Sequence, residues 1–311
     1  MKHLICIPFA NEQKMNSGVN LSRNAERLRV YLENATVALC SAKYYNPECD
    51  VIFATNMTNN MIPQDIYTAL SKAGVIIRNI PFDRYRFSNG YTWALAFYKL
   101  CVLSHLVEEE WDCIAYLDTD VYIQGSFKAV WKECHKNILL YDINHGLNTK
   151  EYNAINQEFI DFTGKNLNPT HFGGEFFAAN KENASQFETI CMQIYQNMYQ
   201  QKFITTKGDE FIVSLAALEL KKKIKNASPY IHRFWTGLSF RLVSTSYKYN
   251  PVIVLHMPAE KEKGFVKLYK KFISKGKIPK NTQVWKMCRL LPLPLYLRIA
   301  ISLRDCIHTE K

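Results

Sequence analysis

Residues 113–123 read Cys-Ile-Ala-Tyr-Leu-Asp-Thr-Asp-Val-Tyr-Ile: an apolar run enters an Asp-x-Asp and a second apolar run leaves it. A segment apolar on both faces reads as an interior strand of a parallel α/β sheet, and ligands of such sheets collect at the strands' carboxyl ends. Asp118 and Asp120 therefore stand where a ligand is expected. Two carboxylates at i and i+2 can reach one hard cation, Mg²⁺ or Mn²⁺, of the kind that bridges a diphosphate. The competing reading is a plain turn, because Asp closes turns through its own backbone.

Working outward, 311 residues suffice for one large α/β domain, or for one domain and a tail. Hydrophobic content of 48% and aromatic content of 13% argue for a packed globule. The nine cysteines form no C-x-x-C pair and fall mostly in apolar runs, as buried thiols do in a reducing compartment. Met-Lys-His-Leu-Ile-Cys-Ile-Pro-Phe, residues 1–9, is too short an apolar run for a secretory signal, so the sequons at Asn34, Asn56, Asn183 and Asn226 are expected to be chance. A cytoplasmic location follows, with peripheral attachment to the cytoplasmic face of a membrane as a further expectation.

That further expectation rests on charge. Residues 251–311 hold 13 Lys/Arg against 4 Asp/Glu, which leaves the rest of the chain near neutral in a total of +11. The lysines, from Lys261 to Lys280, precede an apolar, proline-broken stretch from Trp285 to Leu303. A polybasic patch followed by an interfacial apolar anchor suits an anionic membrane surface. The alternative is a terminal helix docked on the domain with a solvated lysine face. No nucleic acid is expected, because few aromatics interleave the cations and no nucleic-acid motif is present.

Strands read at 4–8, 51–55, 75–78 and 113–117, with helices at about 20–42, 63–72 and 92–107 between them, as in a parallel sheet. Asn20 and Ser22 mark the entry of the first helix, and Pro81–Gly90 is a polar, aromatic loop. Beyond the aspartates, a helix is expected near 126–134, a strand at 171–180 entered by a glycine pair, and a helix at about 181–200. Asp209 and Glu210 head an apolar helix within 206–220, and a last strand from Val252 ends at His256.

This order of features resembles the GT-A fold glycosyltransferases over about residues 3–263. It is closest in layout to glycosyltransferase family 8, the glycogenin and lipopolysaccharide galactosyltransferase type. Y-L-D-T-D-V-Y-I is similar to that family's Y-L-D-x-D motif, which implies that Asp118 and Asp120 bind Mn²⁺ or Mg²⁺ and through it a nucleotide diphosphate sugar. The family's third metal ligand is a histidine in H-x-x-G-x-x-K-P-W. Here H-M-P-A-E-K-E-K-G-F offers His256, with Lys261 or Lys263 as the phosphate cation, and lacks the family's glycine and K-P-W. Lys99 matches the position of a donor-contacting arginine, and as a lysine it supplies a point charge in place of a bidentate fork. By analogy the base and ribose fall on Pro8, Phe9, Ala10 and Asn11, with Arg84, Arg86 and Thr119 as further donor contacts.

F-G-G-E-F-F-A-A-N resembles the acceptor-side strand of these enzymes, which places Gly173, Gly174 and also Trp235 on the acceptor side. Its glycines suit a backbone that a sugar approaches closely. The spacing on to Gly208-Asp209-Glu210 is similar to that of the blood-group type of retaining galactosyltransferase. The resemblance thus implies that Asp209 or Glu210 lies beneath the anomeric carbon. Acids at a helix N-terminus, favoured by its dipole, are the plainer reading. Glu175 is the rival carboxylate, a general base if the reaction inverts.

The expectation is a GT-A domain at residues 1–256, Rossmann-like and α/β, with a basic, apolar region at 257–311. Its function is transfer of a hexose from a nucleotide diphosphate sugar, UDP-linked, to a glycan or lipid-linked glycan, with retention. The alternatives are a sugar nucleotidyltransferase of related fold and a non-catalytic basic membrane- or nucleic-acid-binding protein. The first would carry a glycine- and lysine-rich phosphate loop after Pro8, where none is seen.

Overall fold

A computed structural model describes residues 2–12, 26–88, 91–143, 149–243 and 252–301. The helix entry at Asn20 and Ser22, and the end of the loop at Gly90, lie outside the described residues. In chain order the elements are β1 (His3–Phe9), α1 (Arg27–Tyr45), β2 (Asp50–Thr55), α2 (Gln64–Ala73), β3 (Ile76–Asn79), α3 (Tyr98–Leu106) and β4 (Cys113–Leu117). There follow β5 (Val121–Ile123), α4 (Lys128–Cys134), β6 (Ile138–Asp142), α5 (Lys150–Thr163), β7 (Phe172–Asn180), α6 (Lys181–Gln200) and α7 (Asp209–Glu219). The remainder are β8 (Ile224–Asn226), β9 (Ile231–Arg233), α8 (Leu238–Val243), β10 (Val254–His256), α9 (Gly264–Lys275) and α10 (Asn281–Met287).

The main sheet has the order β3-β2-β1-β4-β7-β6-β8. Its first four strands are parallel, as expected, but β7 runs antiparallel to both β4 and β6. The sheet is therefore mixed, and the reason the expectation missed this is physical: a strand buried on both faces shows the same apolar run whichever way its neighbours point. Alternation along each strand splits the core into two layers. Ile5, Ile7, Ala115 and Leu117 face α1, α2, α4 and α9, whereas Leu4, Cys6, Ile114 and Tyr116 face α3, α5, α6 and α7.

Local signals place the helix ends. Asn180 caps α6 by accepting from the Asn183 amide at 2.8 Å, and Thr149 caps α5 by accepting from Tyr152 at 3.0 Å. Gly74 closes α2 in the left-handed region at φ +76°. The expected helix at 92–107 begins as a 3-10 turn over Ala94–Phe97 and becomes α-helical at Tyr98.

The chain beyond His256 joins the same core: Phe265, Leu268, Tyr269, Val284, Cys288 and Leu290 are buried with the α1 layer. Tyr269 Oη donates to Asp65 Oδ2 at 2.6 Å, and Arg29 bonds both oxygens of that carboxylate. Among the described residues no helix is long and apolar enough to cross a membrane. The eight described cysteines are buried free thiols, and the sequon asparagines Asn34 and Asn183 are buried as well.

Candidate active site

After β1 the chain moves outward to β2 and β3, then returns to the far side of β1 as β4. The crevice at such a switch point, above the strands' carboxyl ends, is the ligand position of an open α/β sheet. It holds a cleft of about 500 Å³, lined by Pro8, Phe9 and Ala10 from the end of β1 and by Asp118, Thr119 and Asp120 from the end of β4.

A second sheet, β5-β10-β9, completes the site. Antiparallel pairing sets His256 opposite Val121, the residue after Asp120, and parallel pairing sets it beside Arg233. The Met257 amide donates to the Asp120 carbonyl at 3.0 Å. His256 Nε2 consequently lies 3.3 Å from Asp120 Oδ2 and 3.9 Å from Asp118 Oδ2. One ligand atom from each of the three residues falls within 4.8 Å of the others. Asp120 Oδ2 is buried without an aligned hydrogen bond, although His256 and Lys261 Nζ, at 3.2 Å, are near. An under-coordinated buried oxygen beside a second carboxylate and an imidazole fits a divalent cation.

Beneath this group lies Glu175, which is 1% exposed and does not line the cleft. Arg233 bonds both its oxygens at 2.6 Å, and His256 Nδ1 lies 3.2 Å from Oε1. A carboxylate on one ring nitrogen orients the other toward the aspartates, the outer-shell arrangement that fixes metal-binding histidines. Burial alone would lower the His256 pKa; the Asp120 and Glu175 carboxylates outweigh it and raise it to about 9. Burial likewise opposes ionisation of Asp120 and Glu175. Lys261 and His256 around Asp120, and Arg233 and His256 around Glu175, hold both well below the usual carboxylate range.

Lys99, with 11% of its side chain exposed, bridges Asp118 Oδ1 at 2.9 Å and Asp209 Oδ2 at 3.0 Å. Burial raises Asp209 to about 6, with Lys99 opposing. Glu210 meets His171 Nε2 at 3.1 Å and Arg233 Nη2 at 3.2 Å. The glycine pair is explained here. A Cβ on Gly174 would fall 2.2 Å from Asp209 Oδ2, and one on Gly173 would fall 1.9 Å from Glu175 Oε2. The missing side chains make room for carboxylates of the protein itself, and only Gly174 reaches the cleft wall.

Trp235, 52% exposed, and Lys261 also line the cleft. Besides Glu175, five expected residues lie elsewhere or beneath it. Arg84 bonds Ser104 and Glu108, Arg86 bonds Glu12 and the Phe82 carbonyl, and the Asn11 amide is engaged by Asn56. Lys263 is exposed just before α9, and Gly173 sits below the surface against Glu175. Sequence reasoning missed Arg233, His171, Tyr31, Trp93 and Lys207, all on the cleft wall. Arg233 had one signal, an arginine flanked by Ile231 on one side and by Phe234 and Trp235 on the other.

No family model matches the chain, and no curated protein does. Solved structures do. A galactosyltransferase, LgtC, in complex with donor and acceptor sugar analogs is 15% identical, over 92% of this chain and 99% of that one, at a TM-score of 0.55. An active-site mutant of LgtC matches over the same shares at 14% identity and a TM-score of 0.54. At such identity the likeness establishes architecture, and the architecture is the GT-A fold.

Proposed function

We propose that this protein is a metal-dependent glycosyltransferase that moves a hexose from a UDP-sugar to a glycan or lipid-linked glycan acceptor, with retention at the anomeric carbon. The observation that carries the proposal is the convergence of Asp118, Asp120 and His256 on one cleft at the sheet's switch point. The likeness to LgtC, whose structure holds donor and acceptor sugar analogs, agrees with it.

Asp118, Asp120 and His256 would hold Mn²⁺ or Mg²⁺, which as a Lewis acid neutralises charge on the departing diphosphate. Glu175, clamped by Arg233 and carrying His256, acts as a positioning residue in this scheme; with both oxygens engaged, it is not assigned the role of general base. Lys261 stands beside Asp120 on the phosphate side. Pro8, Phe9 and Ala10 receive the nucleoside, and Trp235 offers an exposed indole face on which an acceptor sugar can stack. Asp209, next to Lys99, and Glu210, next to Arg233 and His171, are the carboxylates left for the sugar.

A lipid-borne acceptor and a cytoplasmic membrane face belong to the same proposal. In the helical stretch 295–301, Leu295, Tyr296 and Ile299 are all more than half exposed, and they follow the lysine-rich α9. Calorimetric titration with UDP and UDP-sugars, with and without Mn²⁺, tests the donor reading, and anomeric NMR of the product tests retention. Metal-independent binding that survives Asp118→Asn with Asp120→Asn would overturn the metal assignment.

A further inference from the structure

A second cluster of ligating side chains lies outside the cleft, where the loop before α3 folds back onto that helix. Cys101 and His105 are one turn apart on α3, so both face the same way. Asp83 comes from the loop. His105 Nε2 lies 2.8 Å from Asp83 Oδ1, and Cys101 Sγ lies 3.6 Å from the same oxygen. One atom from each residue falls within 4.8 Å of the others.

We infer that Asp83, Cys101 and His105 form a three-ligand site for a borderline-soft divalent transition metal of the zinc type. A thiolate, an imidazole and a carboxylate are the donors that such an ion takes, whereas Mg²⁺ would not select the sulfur. Tetrahedral zinc, with bonds of about 2.0–2.3 Å, sets its ligand atoms roughly 3.5 Å apart. The cysteine and aspartate atoms stand close to that separation already, and the His105–Asp83 contact needs to open only slightly. Cys101 Sγ also lies 3.4 Å from the Pro81 carbonyl, to which the thiol donates, a bond that metal binding would replace, and burial lifts the thiol to about 11. The Arg84 guanidinium is turned away onto Ser104 and Glu108. A fourth position is left for water.

Binding balances simply: the Cys101 S–H bond breaks, a sulfur–metal bond forms, and the proton leaves to solvent. The ion would tie the loop to α3 two residues beyond Lys99, and so fix the helix that carries the bridging cation of the cleft. This inference rests on its own geometry and is independent of the donor or acceptor.

The test titrates Co²⁺ into the full-length Asp118→Asn, Asp120→Asn protein, in which the cleft cluster is disabled. One equivalent should bind with a thiolate-to-cobalt band in the near ultraviolet and strong tetrahedral bands in the visible, and Zn²⁺ should displace it. Cys101→Ser should abolish the thiolate band, and Asp83→Asn and His105→Gln should each weaken Co²⁺ binding by about tenfold or more. The two polar variants carry the test if the serine variant fails to fold. Absence of a thiolate band, its retention in Cys101→Ser, or wild-type affinity in both polar variants would overturn the site.

Discussion

Gly174 shows how a residue chosen for one reason serves another. Its absent Cβ makes room for the Asp209 carboxylate and the Lys99 ammonium, so Gly174→Ala should cost about 1–3 kcal/mol. In an Asp209→Ala background the same change should cost clearly less, which a double-mutant cycle in urea will measure. Asp209 itself makes a prediction about pH. Its folded pKa, about 6, lies above the ordinary 3.8, so the folded state binds the extra proton and this group's contribution falls as pH rises through that window. Asp209→Asn should therefore gain stability relative to wild type between pH 4 and 6.5, by at most roughly 3 kcal/mol, a difference that unfolding midpoints across pH will report. Arg233→Lys replaces a bidentate fork with a point charge and loosens the Glu175–His256 pair. Mn²⁺ affinity should drop about tenfold or more, with the fold intact by circular dichroism.

At the scale of elements, what was legible in the sequence is what periodicity and caps encode. The apolar runs of β1, β2 and β4, and the twenty-residue α6 beginning at its Asn180 cap, stand where the chain's pattern puts them. The sheet β5-β10-β9 was illegible as a unit because three-residue strands carry no period, yet it is this sheet that delivers His256 to Asp120 and brings Arg233 alongside. His256 was found through its motif and Arg233 was not, since no motif marked it. Arg84 and Arg86 were donor candidates by their place in the loop before α3, and local acids and carbonyls bond both. The segment after β10 also changes meaning at this scale. Val284, Cys288 and Leu290 are buried, and Arg289 Nε bonds the buried Glu260 at 2.7 Å. Deleting residues 281–311 should lower the melting temperature by several degrees, whereas deleting 293–311 should leave it nearly unchanged; differential scanning fluorimetry separates the two.

For the whole molecule, most of the positive charge comes late in the chain, and Lys261 brings part of it to the cleft. The total of +11 comes mainly from residues 251–311, beyond most of the cleft's carboxylates. If the exposed Leu295, Tyr296 and Ile299 enter a bilayer, the full chain should sediment with anionic vesicles and the 293–311 deletion should not, at low salt. Binding by neither form would contradict the membrane part and leave the cleft chemistry standing. That chemistry depends on one convergence, two strand-end aspartates and one histidine from a distant three-residue strand. The measurement that reaches it most directly is calorimetric binding of UDP to wild type and to Asp118→Asn with Asp120→Asn, each with and without Mn²⁺. Wild type should bind UDP tightly only with the metal, and the double variant should lose at least about a hundredfold with no remaining metal dependence. Equal UDP affinity in both proteins, or wild-type affinity indifferent to Mn²⁺, would contradict the assignment.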